Sequence, residues 1–229
     1  MKTPNIQLMK QAREALKGRW LLVICTFIVY GLIASLSSSL QSFVSENLYY
    51  ALSFVVLVCL AGPLFLGLTT FSLAIARKED AKICMLFSGF KQSFWKSVGL
   101  YLLMVLFAFL GLLLLIFPVF IVMAMLALVF FILSDNPQIG VWAAIKQSRK
   151  MMVGFKAKYI GLVLMFLGLM ILAYTPLIFA LAVGIPFVGF FAFVAIPVAI
   201  IGTLCLFPFM QISLARFYED VKANNTDIA

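Results

Sequence analysis

The charged residues of this chain are confined to a few clusters that are separated by long apolar stretches. Residues 20–76, 97–141 and 159–215 contain only two charged side chains, Glu46 and Asp135. Hydrophobic residues make up 65% of the 229 and charged residues 11%, whereas soluble domains average about 45–50% and 25%. A soluble fold of this composition would lack the polar material to cover its surface. The pattern therefore predicts an integral membrane protein, with lipid as its solvent.

The seventeen basic residues flank these stretches. They lie within residues 2–19, 77–96, 146–158 and 216–222. Because basic residues collect on the cytoplasmic side, each apolar stretch must begin and end there, which requires an even number of crossings. One crossing takes about 20 residues, so each stretch is long enough for two. The prediction is an all-α bundle of six transmembrane helices in three hairpins, with both termini cytoplasmic.

The six predicted helices cover residues 20–40, 51–76, 98–116, 119–134, 159–182 and 189–213. The breaks within the hairpins are expected at the polar segment 41–47, at Phe117-Pro118 and at Gly184-Ile185-Pro186, since proline interrupts a helix. The third and fourth helices are short, and a re-entrant pair is the alternative for residues 98–134. The basic start is similar to a signal peptide, but its apolar part is long, so we expect an uncleaved first helix.

Each hairpin follows a basic amphipathic segment that ends in a glycine near an aromatic residue. These glycines are Gly18, Gly89 and Gly154. We expect each segment to be a helix in the inner headgroup layer. The shared design predicts repeats at residues 1–76, 80–134 and 136–218, within one membrane domain of residues 1–229. The alternative is that basic and aromatic residues collect at any membrane interface.

The amphipathic pattern also predicts which side of each segment is apolar. For the first, the apolar residues are Leu8, Ala12, Ala15 and Leu16. For the second, which Asp80 can cap, they are Ile83, Leu86, Phe87, Phe90 and Phe94. For the third, which Asn136-Pro137 can start, they are Val141, Trp142, Ile145 and Met152.

The basic and aromatic residues of these segments are the candidate functional residues. We expect them to bind the anionic headgroups of membrane lipids, and docking of an unknown protein partner is the alternative. The candidates are Lys10, Arg13, Lys17, Trp20, Lys91, Trp95, Lys146, Arg149, Lys150 and Lys156. In the first predicted helix, the small residues Gly31, Ser35 and Ser39 share one face, which suits packing within the chain or a homo-oligomer.

Acidic residues are predicted to gather at the cytoplasmic ends of the even-numbered helices. They are Glu79-Asp80, Asp135 and Glu219-Asp220. In a compact bundle these carboxylates would converge near Arg149 and Lys150. Helix capping and ion pairs are the expected roles, and a divalent-cation site is the alternative.

The sequence provides no recognisable catalytic machinery. It contains no histidine, and it lacks the glycine-rich phosphate-binding motifs and the GxSxG nucleophile motif. We therefore expect no enzymatic activity, no cofactor and no resident metal. The basic clusters adjoin apolar spans and carry no recognition motif, so we expect no binding of nucleic acid.

Several short motifs are spread along the chain, among them Leu16-Lys17-Gly18, Gly62-Pro63, Gly89-Phe90, Asp135-Asn136-Pro137 and Phe217-Tyr218. In these motifs the chain resembles the domain of unknown function 975 family, a group of uncharacterised bacterial integral membrane proteins. The resemblance implies a polytopic helical bundle in the bacterial cytoplasmic (inner) membrane, and it supplies no activity.

The hypothesis is a non-enzymatic inner-membrane protein that organises lipids or partner proteins through its basic helices. The alternatives are a transporter or exporter component for a neutral or amphipathic molecule, and an immunity or stress protein against a membrane-active peptide. A continuous polar cavity lined by Thr69, Thr70, Tyr174 and Thr203 would favour transport. A filled apolar core would favour the organising role.

Overall fold

The computed structural model describes residues 3–39, 46–113, 122–183 and 185–226, which form helices and turns without a strand. The predicted all-α class is therefore confirmed. The helices are α1 Asn5–Leu16, α2 Trp20–Ser39, α3 Glu46–Ala76, a 3-10 helix Ile83–Phe87, α4 Ser88–Gln92, α5 Phe94–Leu113, α6 Val129–Asp135, α7 Val141–Met151, α8 Lys156–Val183 and α9 Ile185–Thr226.

The starts of α2, α5 and α8 and the end of α3 lie within about four residues of the predicted positions, because a change between charged and apolar residues marks each of these limits. The predicted breaks at Phe117-Pro118 and Gly184, and most of the polar segment 41–47, lie outside the described residues. The last helix was predicted too short. It continues past residue 213 to Thr226, because Ala215, Phe217, Tyr218 and Val221 continue the buried face.

Three helices in the described part of the chain are long and apolar enough to cross a membrane: Val58–Ala76, Lys156–Phe179 and Ala195–Asn225. Two further candidates are bent pairs. Asn5–Leu16 meets Trp20–Ser35 at 96°, and Ile83–Gln92 meets Phe94–Leu110 at 94°. Val122–Asp135 is apolar but shorter. The six crossings and the three-hairpin order therefore remain predictions.

The helix α1 buries the four residues that the sequence placed on its apolar face, Leu8, Ala12, Ala15 and Leu16. These side chains pack into the protein core with residues of α9. Lys10, Arg13 and Lys17 are exposed. Gly18 follows with φ of 80°, a left-handed conformation that ends the helix and that glycine adopts without steric cost.

The third basic segment differs from its prediction. The helix α7 begins at Val141 rather than at Asn136-Pro137, and it buries Ala144, Ser148 and Met151. Trp142, predicted on the apolar face, is 70% exposed. The other residues predicted on that face are inside: Met152 is buried, and Val141 and Ile145 pack against the core. Ser148 lies on the same side of α7, where its hydroxyl donates a 2.6 Å hydrogen bond to the carbonyl oxygen of Met125.

The second basic segment is two short helices rather than one, and Asp80 does not cap it. Its predicted apolar residues Ile83 and Phe87 are 37% and 42% exposed, whereas Leu86 and Gly89 are buried. The reason is a backbone contact with α3. A Cβ atom added to Gly67 would lie 1.8 Å from the carbonyl oxygen of Leu86.

The same close approach recurs twice along α3. A Cβ at Gly89 would lie 2.1 Å from the carbonyl oxygen of Pro63, and one at Gly62 would lie 2.6 Å from that of Ser97. Only glycine allows two backbones to approach this closely. We call Gly62, Gly67 and Gly89 the glycine contact. Gly67 and Gly89 place the second basic segment directly on α3, and Gly62 places the start of α5 there.

Gly154, at the end of the third basic segment, has φ of 79°, like Gly18, whereas Gly89 lies inside α4. The first and third segments thus end in the same left-handed turn, and the second ends differently. The threefold repeat remains a prediction.

Candidate functional site

The side chain of Asp135, at the end of α6, is the centre of a network of charged and polar groups. Arg77, just beyond α3, donates to its carboxylate at 2.8 Å. Tyr218 and Lys222 of α9 donate to the second carboxylate oxygen at 2.9 and 2.6 Å. The Asp135 side chain is only 8% exposed. The ends of three helices therefore meet at one buried carboxylate, which we call the Asp135 cluster together with Arg77, Tyr218, Glu219 and Lys222.

Packing fixes the geometry of this cluster. The ring of Tyr218 stacks on that of Phe131, with centroids 5.5 Å apart and an interplanar angle of 18°. Both residues are buried, and Lys222 lies 5.8 Å from the centroid of the Tyr218 ring. The phenol hydroxyl is thereby aimed at Asp135. Arg77 also bonds Glu219 at 2.6 Å, so its guanidinium bridges two carboxylates.

The electrostatics of the cluster favour the charged form of Asp135. Burial alone would raise the pKa of this carboxyl, but the hydrogen bonds from Lys222, Tyr218 and Arg77 more than offset that effect, and the pKa lies below its usual value. Burial would lower the pKa of Arg77, but its bonds to Glu219 and Asp135 raise it instead. Both groups are therefore charged at neutral pH.

A second ion pair lies beside the Asp135 cluster and holds the start of α1. Lys158 of α8 donates to Asp220 of α9 at 2.6 Å, and both side chains are nearly buried. The Thr3 hydroxyl donates to the other oxygen of Asp220. The Asn5 amide donates to the carbonyl oxygen of Lys158 at 3.1 Å. Thr3 therefore serves tertiary packing rather than capping α1, whose N-cap is Pro4.

The acidic residues were predicted to converge near Arg149 and Lys150. Asp135 and Glu219 do come together, but their basic partners are Arg77 and Lys222. Arg149 and Lys150 are exposed on α7. Within the described residues no group of three or more acidic or cysteine side chains could hold a metal ion.

Three of the candidate lipid-binding residues come together in the structure. Lys10 and Arg13 of α1 and Trp20, the first residue of α2, line one cavity of about 500 Å³. The remaining walls include Met165 of α8 and Phe209 of α9. We call this cavity the α1 groove. That α8 and α9 complete it could not be predicted from the sequence, because those contacts join residues more than 140 positions apart.

The other candidates lie on separate elements. Lys17 is exposed at the end of α1, and Lys91 is exposed on α4. Trp95, at the start of α5, is 80% exposed. Lys146, Arg149 and Lys150 are exposed on α7, and Lys156 is half-buried at the start of α8. These residues do not form one site with the α1 groove.

The hydroxyls named for a transport path lie in two different places. Thr69 and Thr70 bond carbonyl oxygens of their own helix, and Thr70 also bonds Ser134 at 2.8 Å. Tyr174 and Thr203 bond each other at 2.8 Å beside a cavity of about 380 Å³ whose other walls are apolar. These contacts satisfy the hydroxyls locally, and they do not favour a continuous polar path.

Comparison with known proteins identifies the family. The family described as "Protein of unknown function (DUF975)" matches residues 111–225, half of the chain. The chain belongs to this family. The resemblance seen in the sequence is therefore confirmed, and the DUF975 match includes Asp135, Tyr218, Lys222 and the α8–α9 wall of the α1 groove. Neither a curated protein nor a solved structure matches the chain.

Proposed function

We propose that this DUF975 protein is a non-enzymatic integral protein of the bacterial inner membrane that organises lipids, or partner proteins, through basic helices at the cytoplasmic face. The exposed apolar surface carries the proposal. Large apolar side chains point outward from α5, α8 and α9, among them Phe109, Leu172, Phe179, Phe193 and Ile201. Exposed area of this kind costs about 25 cal/mol per Å² in water, and lipid removes that cost.

The exposed tryptophans support a membrane boundary at the basic segments. Trp95 and Trp142 begin α5 and α7, and a Cβ at Gly99 would lie 4.0 Å from a methyl of Val141, so the two helix starts are neighbours. Lys96 and Lys146 are close to them in sequence. Tryptophan favours the headgroup level, and lysine extends its ammonium toward water from the same depth.

In the full proposal, α2, α3, α5, residues 122–135, α8 and α9 cross the membrane as three hairpins with both termini cytoplasmic. The basic helices α1, α4 and α7 then lie beside the inner headgroups. Each Lys or Arg near an anionic surface contributes about 1 kcal/mol of attraction. The exposed residues Lys91, Lys146, Arg149 and Lys150 suit that role.

Tryptophan quenching in vesicles tests the placement, since the chain has three tryptophans. Variants that keep only Trp95 or only Trp142, with phenylalanine at the other two positions, would be reconstituted with brominated phospholipids. Bromine near the headgroups should quench both more strongly than bromine at the bilayer centre. A Leu172→Trp control in a tryptophan-free background should show the reverse order, since Leu172 is 69% exposed within α8.

Quenching of Trp95 and Trp142 by aqueous acrylamide, with no effect of either brominated lipid, would refute the placement. The organising role has a separate test. The protein would be purified in mild detergent, and its co-purifying lipids and proteins identified. Recovery of the protein alone, without an enriched lipid or partner, would count against that role.

A further inference from the structure

The α1 groove is lined by basic and by apolar side chains. Lys10 and Arg13, one turn apart on the exposed side of α1, are its basic residues. Met165, Leu206 and Phe209 form an apolar wall contributed by α8 and α9. The volume of about 500 Å³ lies within the range of about 300–1,000 Å³ that is usual for small-molecule sites. The groove therefore offers cationic donors and an apolar channel in continuous contact.

Within the described residues, the two cations of the groove form no ion pair. Among the residues that the structure describes, no carboxylate lies within 4 Å of Lys10 or Arg13. The carboxylate of Glu14, on the same helix, lies near Arg216 of α9: burial lowers the pKa of that guanidinium, and the charges of Glu219 and Glu14 act in the opposite direction. The charge at the groove therefore complements an anion from outside the chain, and arginine suits a phosphate because its donors form a rigid fork.

The helix that carries these cations is held at both ends. Thr3 and Asn5 anchor its start to Asp220 and to the Lys158 carbonyl. Beyond its end, Arg19 donates to the carbonyl oxygen of Glu79 at 2.5 Å. The position of α1, and with it of Lys10 and Arg13, is thus fixed by tertiary hydrogen bonds. A site held in this way binds at a smaller entropic cost than a mobile segment does.

We propose that the α1 groove binds one anionic phospholipid. Lys10 and Arg13 hold its phosphate, Trp20 lies at the level of its glycerol, and an acyl chain follows Met165, Leu206 and Phe209. Leu172, two helical turns beyond Met165 on the same side of α8, is exposed and apolar, so the acyl chain remains in apolar surroundings. The inference rests on the proposed membrane location, and it adds a defined site and a ligand class to it.

Lipid binding to the full-length protein in detergent micelles tests the proposal. Native mass spectrometry would compare phosphatidylglycerol with phosphatidylcholine of identical acyl chains. Wild type should retain one phosphatidylglycerol in preference to phosphatidylcholine. The double variant Lys10→Gln/Arg13→Gln should bind it about ten- to thirtyfold more weakly, as expected when two cationic contacts are lost.

Lys78→Gln/Lys82→Gln is the matched charge control, because it removes the same net charge from exposed positions between α3 and the 3-10 helix, outside the groove. It should change the affinity less than threefold. Leu206→Trp tests the wall without changing charge, and it should also weaken binding. Ile201→Trp is its control, since Ile201 is 61% exposed on the same helix and outside the groove.

Equal weakening by the two charge variants would overturn the groove as the site, while the proposed membrane placement would stand. Equal retention of phosphatidylcholine would overturn the anionic specificity. Unchanged binding in Leu206→Trp would overturn the assignment of the acyl chain to this wall. This measurement tests the groove even if Lys10→Gln/Arg13→Gln does not fold. Loss of the interfacial tryptophan quenching, by contrast, would refute the membrane placement itself.

Discussion

Alanine at Gly67 should destabilise the protein, because its methyl group would occupy the space of a backbone atom. The added Cβ would lie 1.8 Å from the carbonyl oxygen of Leu86 and 2.4 Å from its carbonyl carbon. The Leu86 backbone would have to retreat by about 1.5 Å to restore van der Waals contact. Leu86 is fully buried, so this displacement disturbs the core around it.

The magnitude follows from overpacking, which typically costs about 1–3 kcal/mol and more where backbone must move. Alanine regains about 1 kcal/mol through its helix propensity, because Gly67 lies inside α3. The net loss should be about 2 kcal/mol, which corresponds to a fall of about 4–8 °C in the thermal midpoint of a chain of this size. The fraction of monodisperse protein that survives heating in detergent provides the measurement.

Two further variants make the test specific. Gly89→Ala should lower the stability by as much, since its Cβ would lie 2.1 Å from the Pro63 carbonyl oxygen. The double variant should lose less stability than the sum of the two single variants, because one displacement of the second basic segment away from α3 relieves both clashes. Gly168→Ala is the control: it is exposed inside α8 with no atom within 4 Å, so its midpoint should not fall. If Gly67→Ala and Gly168→Ala have equal midpoints, the glycine contact does not exist as described.

Two other predictions concern polar contacts between helices. Asp135→Asn should lower the free energy of unfolding by about 2–3 kcal/mol. This is less than the loss of a fully buried ion pair would cause, because Arg77 and Lys222 are partly exposed. Asp80→Asn should leave the stability unchanged because that side chain is 92% exposed. The pKa of Asp135 is lower in the folded protein than its unfolded value of 3.8, so the stabilisation by its carboxylate is complete above that pH and is lost as the pH falls below it. Thermal midpoints measured from pH 6 to 3 should therefore decline less in Asp135→Asn than in wild type. Parallel curves for the two proteins would contradict this assignment. Thr70→Val should lower the free energy of unfolding by about 1 kcal/mol, and so lower the thermal midpoint, because the Ser134 hydroxyl loses its partner. Thr175→Val, at an exposed position of α8, should have no effect.

The sequence predicted most of the apolar helices because their signal is local. A run such as α2 or α8 is continuous, and the basic residues before it mark its start within a few residues. The predictions were wrong where a distant contact decides the structure. Trp142 faces outward while Ser148 of the same helix contacts Met125. The second basic segment, whose backbone Gly67 and Gly89 bring onto α3, is divided into two short helices. No periodicity in the segment itself contains those contacts.

The candidate site was predictable in part for the same reason. Asp135 is one of two charges in the apolar stretches, so its importance was visible, and the ends of the even-numbered helices were the expected meeting place. Its partners were not visible, because Arg77 and Lys222 are separated from it by 58 and 87 positions. Clustering of basic residues in the sequence favoured Arg149 and Lys150 instead. The distribution of charges along the sequence identifies the region where ion pairs form, and the packing of the helices determines which residues pair.

The length of α9 explains how the charged helix ends and the α1 groove belong to one structure. A helix of 42 residues spans about 63 Å, roughly twice the hydrocarbon thickness of a bilayer. The apolar first part of α9 is by itself long enough to cross the hydrocarbon. The remainder places Glu219 against Arg77 of α3 and Asp220 against Lys158 of α8 and Thr3 before α1. Adjacent residues of one rigid helix thus bind both the Asp135 cluster and the anchor of α1. Disruption of Asp135 should therefore loosen α1 as well as α3, and the groove should lose its lipid before the protein unfolds.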